Sequence, residues 1–279
     1  MNITDYKDSA GVVKLLFIVT SVFAIYANVF SFLAPIVVRG VYWGLIAMAV
    51  FLGSREGVLR RGRRYVNGTL ATLAALSTGI LVVRWEEFAS GIYDANLLEN
   101  IAAGVMVLLV LEATRRTIGL FLTGTTIVFI LYALFGGYVP GIFIGRSYAI
   151  DRVLSFLFWD TTGIYGLPMY IAASYLMLFV IFGAFLLKSG GEKWFIDFSY
   201  AAVGRVRGGP ALTAVISSAF FGMMSGSPVA NVVTTGSFTI PLMKEIGFKR
   251  HMAGAVEAVA STAGMFTPPI MGAGAFIMA

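Results

Sequence analysis

The chain contains no cysteine and a single histidine, His251. Thiolate catalysis, a disulfide framework and Cys/His metal cages are therefore excluded. Charge is scarce as well. Asp, Glu, Lys and Arg make up 12% of the 279 residues, about half the share found in an ordinary soluble domain. No HExxH motif or comparable cluster of acids and histidine occurs, so a polytopic membrane enzyme lacks its catalytic parts. The N-terminal stretch carries Asp5 and Asp8 and has no small-residue cleavage site after a short apolar core, so it reads as mature sequence. What fills the chain is apolar: 58% of residues are hydrophobic and the mean hydropathy is +0.87. Such a composition is solvated by membrane lipid.

Apolar runs long enough to cross a bilayer, about 20 residues each, lie near 12–33, 35–53, 66–84, 97–114, 117–139 and 166–187. An all-α polytopic membrane protein is expected. The net charge of +6 raises the question of nucleic acid, but the basic residues sort by membrane parity instead. Arg55, Arg60, Arg61, Arg63 and Arg64 cluster between the second and third runs, which places that loop and the N-terminus in the cytoplasm by the positive-inside rule. Propagating the parity leaves four basic residues, Arg39, Arg84, Arg146 and Arg152, on the outer side and the rest inside. No nucleic-acid partner is expected. Glu112 and Arg116 form an i,i+4 pair at a helix end, and the spacing in SYAIDRVLSFLFW predicts a helix lying in the outer interface.

From Pro210 to Met243 the apolar sequence is interrupted at its middle by Ser225-Gly226-Ser227-Pro228. Each arm has about fifteen residues and reaches roughly 23 Å, short of a hydrocarbon core of about 30 Å. Basic residues flank both ends, so a re-entrant hairpin entered from the cytoplasm is predicted. A second interruption follows, where Gly264 and Pro268-Pro269 break an apolar helix that begins near Lys249. Irregular backbone at membrane depth is tolerated where it lines a cavity, and discontinuous helices of this kind hold substrate and ion in secondary transporters. Ser225, Ser227, Asn231, Thr234, Thr235, Ser261, Thr262 and Thr267 supply neutral oxygens suited to a hard cation. Each hydroxyl has a plainer use, bonding its own i−4 carbonyl, and the glycines have another in close helix packing. Glu257 is the sharpest charged candidate, one turn before Ser261 on the same helix face. Three roles are open to it: binding Na+, shuttling a proton, and pairing with a basic group of the scaffold. His251, beside Lys249 and Arg250, is read as a cap or a snorkelling group.

GRVRGGPALTAVISSAFFGMMSGSPVANVVTTGSFTIPLMKEIGF followed by AGAVEAVASTAGMFTPPIMGAGAFIMA resembles the large membrane subunit of tripartite ATP-independent periplasmic (TRAP) transporters. LEATRRTIG and LYALFGGYVPG further resemble the fused permeases that join the small four-helix subunit to the large one and work with TAXI-type solute receptors. The resemblance implies a four-helix scaffold over residues 1–115. It implies for 116–279 the first, incomplete part of an inverted-repeat ion-transporter fold, with a re-entrant hairpin at about 210–243 and a broken helix at about 249–279. It further implies a multi-pass permease of the bacterial inner membrane, with its N-terminus in the cytoplasm. Such a permease imports a small organic anion, a carboxylate, from a periplasmic TAXI-type receptor. Import is driven by a Na+ or H+ gradient through an elevator-type movement, and no cofactor beyond that ion is expected. By carry-over, Ser225, Gly226, Ser227, Asn231, Ser261, Thr262 and Gly264 are the ion-binding candidates. Thr235, Glu257, Thr267 and Pro268 are the candidates for substrate binding or coupling. Only the first hairpin and first broken helix are present, so a partial permease is expected, against a half-size protein that dimerises. The competing class is a non-transporting membrane scaffold or a polytopic membrane enzyme.

Overall fold

The computed structural model describes residues 10–30, 32–53, 61–89 and 96–268. The described residues form helices and turns and contain no strand. Six helical stretches are long and apolar enough to cross a membrane: Gly11–Val29, Pro35–Gly53, Tyr65–Glu87, Leu97–Thr117, Leu120–Tyr138 and Leu167–Leu186. They coincide with the six expected runs. The protein is all-helical and polytopic, as its composition required. The N-terminal acids, the Arg55–Arg60 part of the basic loop, and Pro269 of the second break lie outside the described residues.

The chain divides into two compact units, Met1–Ala173 and Ser174–Ala279. The first contains α1 (Ala10–Val29), α2 (Pro35–Gly53), α3 (Arg61–Ala89), α4 (Leu97–Thr117), α5 (Leu120–Phe135), α6 (Ile150–Trp159) and α7 (Leu167–Ile171). It takes in α5, α6 and α7 beside the first four helices. The reason is packing: Phe158 and Trp159 of α6 and Tyr165 of the next turn enter the same core as Ile36, Phe51, Leu81 and Met106 of α2, α3 and α4. Gly40 and Gly44, one turn apart on α2, let α3 approach closely. A Cβ on Gly44 would lie 2.5 Å from Thr78 Oγ1, and one on Gly40 would lie 2.3 Å from Leu81 Cδ2. Small residues at such spacing draw helices together in lipid, where apolar surface alone provides no driving force.

Charges in this unit pair at helix ends. Glu112 accepts from Arg116 at 2.6 Å, the expected i,i+4 pair, and also from Arg115 at 2.7 Å. Arg84 reaches Glu87 and Glu99. The expected helix in SYAIDRVLSFLFW is present as α6. Just after it, Asp160 accepts from Thr162 Oγ1 at 2.6 Å and Thr162 N at 2.8 Å. These two bonds hold the Asp160 carboxyl below its ordinary value. A lowered carboxylate stabilises the fold above the unfolded-state value, and that contribution is lost as pH falls through the lowered one. Thr162→Val removes the hydroxyl donor and is expected to move the Asp160 titration, followed by carbon NMR, back up toward an ordinary aspartate.

The second unit contains α8 (Met177–Lys188), α9 (Gly191–Val203), α10 (Gly209–Ser225), α11 (Pro228–Thr234), α12 (Gly236–Glu245) and α13 (Arg250–Thr262). A 3-10 turn, Ala263–Met265, closes it. A single π turn, Ala172–Leu176, carries the chain from α7 into α8. Helix α10 sits at the centre, packed against every other helix of the unit. Phe221 and Met224 of α10 meet Phe179, Leu186 and Phe195 on one side. Ala214 meets Met243 and Ala253 on the other.

Candidate functional site

The interruption at Ser225–Pro228 is a helix–turn–helix reversal. Gly226 takes a left-handed conformation at φ 59° and its N–H closes the end of α10 on Gly222 O at 3.0 Å. A side chain is strained in that conformation, which explains a glycine between the two serines. Ser227 is extended and caps α11, its Oγ accepting from Ala230 N at 3.3 Å. Ser225 Oγ accepts from Ser227 N at 3.4 Å. With Pro228 at the first helical position, where its missing donor is no loss, α11 and α12 return against α10. The reversal opens onto a mainly apolar cavity of about 260 Å³ lined in part by Gly183, Phe221, Ser225 and Thr234.

The second interruption begins at the 3-10 turn Ala263–Met265. It meets the hairpin backbone to backbone. A Cβ on Gly222 would lie 2.4 Å from Gly264 Cα, and one on Gly264 would lie 2.8 Å from Gly222 Cα. Thus α10 and α13 end side by side. The C-terminal end of a helix carries its negative pole, so two such poles converge near the tip.

Behind the tip lies a polar core built from four helices. Asn231, Thr235 and Thr239 recur every fourth residue along α11 and α12, and so share one face. Ser218 faces them from α10, and Glu257 and Ser261 from α13. All six are buried: five have 0% exposure and Thr235 has 1%. Asn231 Nδ2 donates to Ser218 O at 2.8 Å and to Ser261 O at 3.4 Å, bridging hairpin and α13. Glu257 Oε1 is within hydrogen-bond reach of Thr235 Oγ1 at 2.6 Å and of Ser218 Oγ and Ser261 Oγ at 3.1 Å each. Thr239 Oγ1 reaches Oε2. Gly236 leaves room for the Glu257 stem, since a Cβ there would lie 3.0 Å from Glu257 Cγ.

The candidates therefore separate into groups. Asn231, Thr235, Glu257 and Ser261 come together in the buried cluster. Ser225, Gly226 and Ser227 form the tip, and Gly264 forms the contact between the breaks. Thr262 and Thr267 do not join either group: their hydroxyls bond their own backbone, to Val259 O and Ala263 O at 2.6 Å each. Thr234 does the same with Ala230 O at 2.8 Å. Pro268 is exposed at the last described position. Among the described residues, the bonds of Glu257 run to four hydroxyls. Ser218 escaped the sequence reading, although its neighbour Ser217 marks a polar pair on an otherwise apolar arm. The four-residue spacing of Asn231, Thr235 and Thr239 was the signal that also singles out Thr239.

Residues 105–279 match the family described as "Tripartite ATP-independent periplasmic transporter, DctM component". The chain is 36% identical over 91 residues to the C4-dicarboxylate TRAP transporter large permease protein DctM of Pseudomonas aeruginosa, a match covering 33% of this chain and 21% of that protein. It is 32% identical over 125 residues to the isethionate TRAP transporter permease protein DctMQ of Oleidesulfovibrio alaskensis, covering 44% of this chain and 18% of the other. An uncharacterized protein, y4mL of Sinorhizobium fredii, is 34% identical over 138 residues, or 49% of this chain and 29% of that one. The chain thus spans about a fifth to three tenths of the length of these relatives. No solved structure matches it significantly. With more than half of its length matched, the chain belongs to the DctM family of tripartite ATP-independent periplasmic transporter components.

Proposed function

We propose that the chain forms the first ion-binding part of a secondary active permease in a bacterial inner membrane. The permease takes up a small organic anion from a periplasmic receptor of the TAXI type and is driven by a Na+ gradient. The hairpin dips into the bilayer from the cytoplasm, the N-terminus is cytoplasmic, and the transport unit moves elevator-fashion against the helices before it. The observation that carries this reading is the close approach of Gly222, in the last turn of α10, to Gly264, in the turn that follows α13, beside the Ser225–Ser227 tip. The negative poles of these two helix ends and the neutral tip hydroxyls support the reading of a small hard cation as the ligand. The named substrates of the relatives, C4-dicarboxylates and isethionate, are small anions, which supports an organic acid as the cargo.

Uptake of labelled organic acids into proteoliposomes holding the permease, with its receptor outside, tests the reading. Transport is expected to require an inward Na+ gradient. Ser225→Ala and Ser227→Ala are each expected to raise the Na+ concentration for half-maximal uptake by about tenfold, the equivalent of one contact to a charged group. Sodium-independent uptake that is unchanged in both variants would remove the tip from the mechanism.

A further inference from the structure

We propose that the cavity between α5 and α6 binds one phospholipid of net negative charge, with the headgroup phosphate on Arg152 and an acyl chain along the apolar walls. The site lies wholly within the first unit, so it stands apart from the ion and cargo reading above.

Helix α6 is apolar on two sides. Leu154, Phe158 and Trp159 turn into the core of the first unit, and a Cβ on Gly104 of α4 would lie 3.9 Å from Leu154 Cδ1. That side is anchored. Val153, Phe156 and Leu157, three and four residues apart, form a second side. With Phe129, Ile130 and Ala133 of α5 they line a cavity of about 600 Å³. A space of this size is that of a small-molecule site.

The cavity has a polar end and an apolar end. Its α5 wall runs from Thr126 to Ala133, about 10 Å of helix. At the Thr126 end no free donor is offered, because that hydroxyl bonds Leu122 O at 2.9 Å. At the Ala133 end the chain leaves the spanning helix, and Tyr148 N donates to Ala133 O at 3.0 Å, which ties the segment before α6 to the end of α5. Arg152, in the first turn of α6, therefore lines the cavity where α5 ends. It is exposed and joins no ion pair among the described residues. Asp151 precedes it on α6 but does not line the cavity. The one charge on the wall is positive.

In lipid, apolar area alone does not drive two helices to close on each other, while an empty space forfeits the dispersion contacts of its lining. An acyl chain supplies those contacts. A guanidinium presents a rigid fork of donors that matches phosphate, and basic pockets between membrane helices hold anionic lipid headgroups. A small organic anion would satisfy Arg152 and leave the walls bare. A zwitterionic lipid would fill the walls but bring its own cation to the phosphate that Arg152 binds. A lipid whose only headgroup charge is its phosphodiester meets both demands.

The test uses the purified protein in detergent and a phosphatidylglycerol carrying a photoreactive diazirine on its acyl chain, with crosslinked peptides identified by mass spectrometry. Crosslinks are expected within 126–133 and 153–157. Unlabelled phosphatidylglycerol is expected to suppress them at about a tenth of the concentration required of phosphatidylcholine with the same chains, the equivalent of one bond to a charged group. Arg152→Gln is expected to erase that difference and Arg152→Lys to keep most of it. Arg146→Gln, at an exposed arginine off the cavity, is expected to behave as wild type. Ile130→Trp fills the space and is expected to remove the crosslinks. Equal suppression by the two lipids in the wild type, or a preference unchanged in Arg152→Gln, overturns the proposal. So does suppression by inorganic phosphate alone, which marks a site for free anions, or an absence of crosslinks in both segments, which follows if a second copy of the chain covers them. Should Ile130→Trp not fold, Arg152→Gln still decides, because the exposed Arg152 has no ion pair to lose. Neither a Na+ gradient nor transport enters the measurement, so its failure is distinguishable from failure of the uptake assay.

Discussion

Gly222→Val is expected to abolish uptake and to lower the thermal stability of the purified protein markedly. The first added carbon at position 222 would stand 2.4 Å from Gly264 Cα and 2.9 Å from Gly264 N. These are backbone atoms, so no rotamer change relieves the clash. The only response is to push α10 away from the second break, which also strains Asn231, whose Nδ2 would lie 3.3 Å from the new carbon. Overpacking of this kind costs about 1–3 kcal/mol where neighbours are flexible side chains. Here the upper end applies. Gly222→Ala is expected to act in the same direction with a smaller loss. Because Gly264→Ala disturbs the same contact, the double variant is expected to lose less than the sum of the two single losses. Detergent-resistant thermal unfolding, followed by fluorescence, measures the wild type and the four variants, and wild-type stability with full uptake in Gly222→Val would show that the two breaks do not need to touch.

Asn231→Asp is expected to be the next most damaging change, although it preserves size and shape. The amide nitrogen it removes is a buried donor to two carbonyls, Ser218 O and Ser261 O, on different helices. Replacing that donor by an acceptor leaves both carbonyls facing lone pairs. An unmet buried hydrogen bond costs about 1–3 kcal/mol, and the tie between hairpin and α13 is lost with it. Asn231→Leu also loses the donors without adding an acceptor, and is expected to be milder. The ordering of thermal stability, wild type above Asn231→Leu above Asn231→Asp, is the measurement. If the leucine variant proves the worse of the two, the side chain acts through shape and not through its donated bonds.

The behaviour of the hydroxyls shows why the individual site residues were harder to read than the site. Thr234, Thr262 and Thr267 look like Thr235 and Thr239 in composition and neighbourhood, yet the first three bond their own backbone and the last two also reach Glu257. Which oxygen faces a distant carboxyl depends on the rotation of α11, α12 and α13 about their axes, and local sequence does not carry that rotation except through spacing. The spacing was available: Asn231, Thr235 and Thr239 are four apart, as are Glu257 and Ser261. Ser218 lies 39 residues from Glu257, and only packing brings them together.

The sequence by itself determined the solvent, the spans and the breaks. Long apolar runs with little charge can satisfy their backbone in lipid only as helices, and Ser-Gly-Ser-Pro stops a helix through glycine's conformational range and proline's missing donor. Those are local consequences of chain chemistry, so they could be read residue by residue. The tertiary structure alone decided that α6 and Tyr165 complete the core of the first unit. It also decided that the two breaks touch through paired glycines, and that the described bonds of Glu257 run to four hydroxyls. These are contacts between segments far apart in the chain, and they arise from which helix faces fit closely enough to exclude everything else.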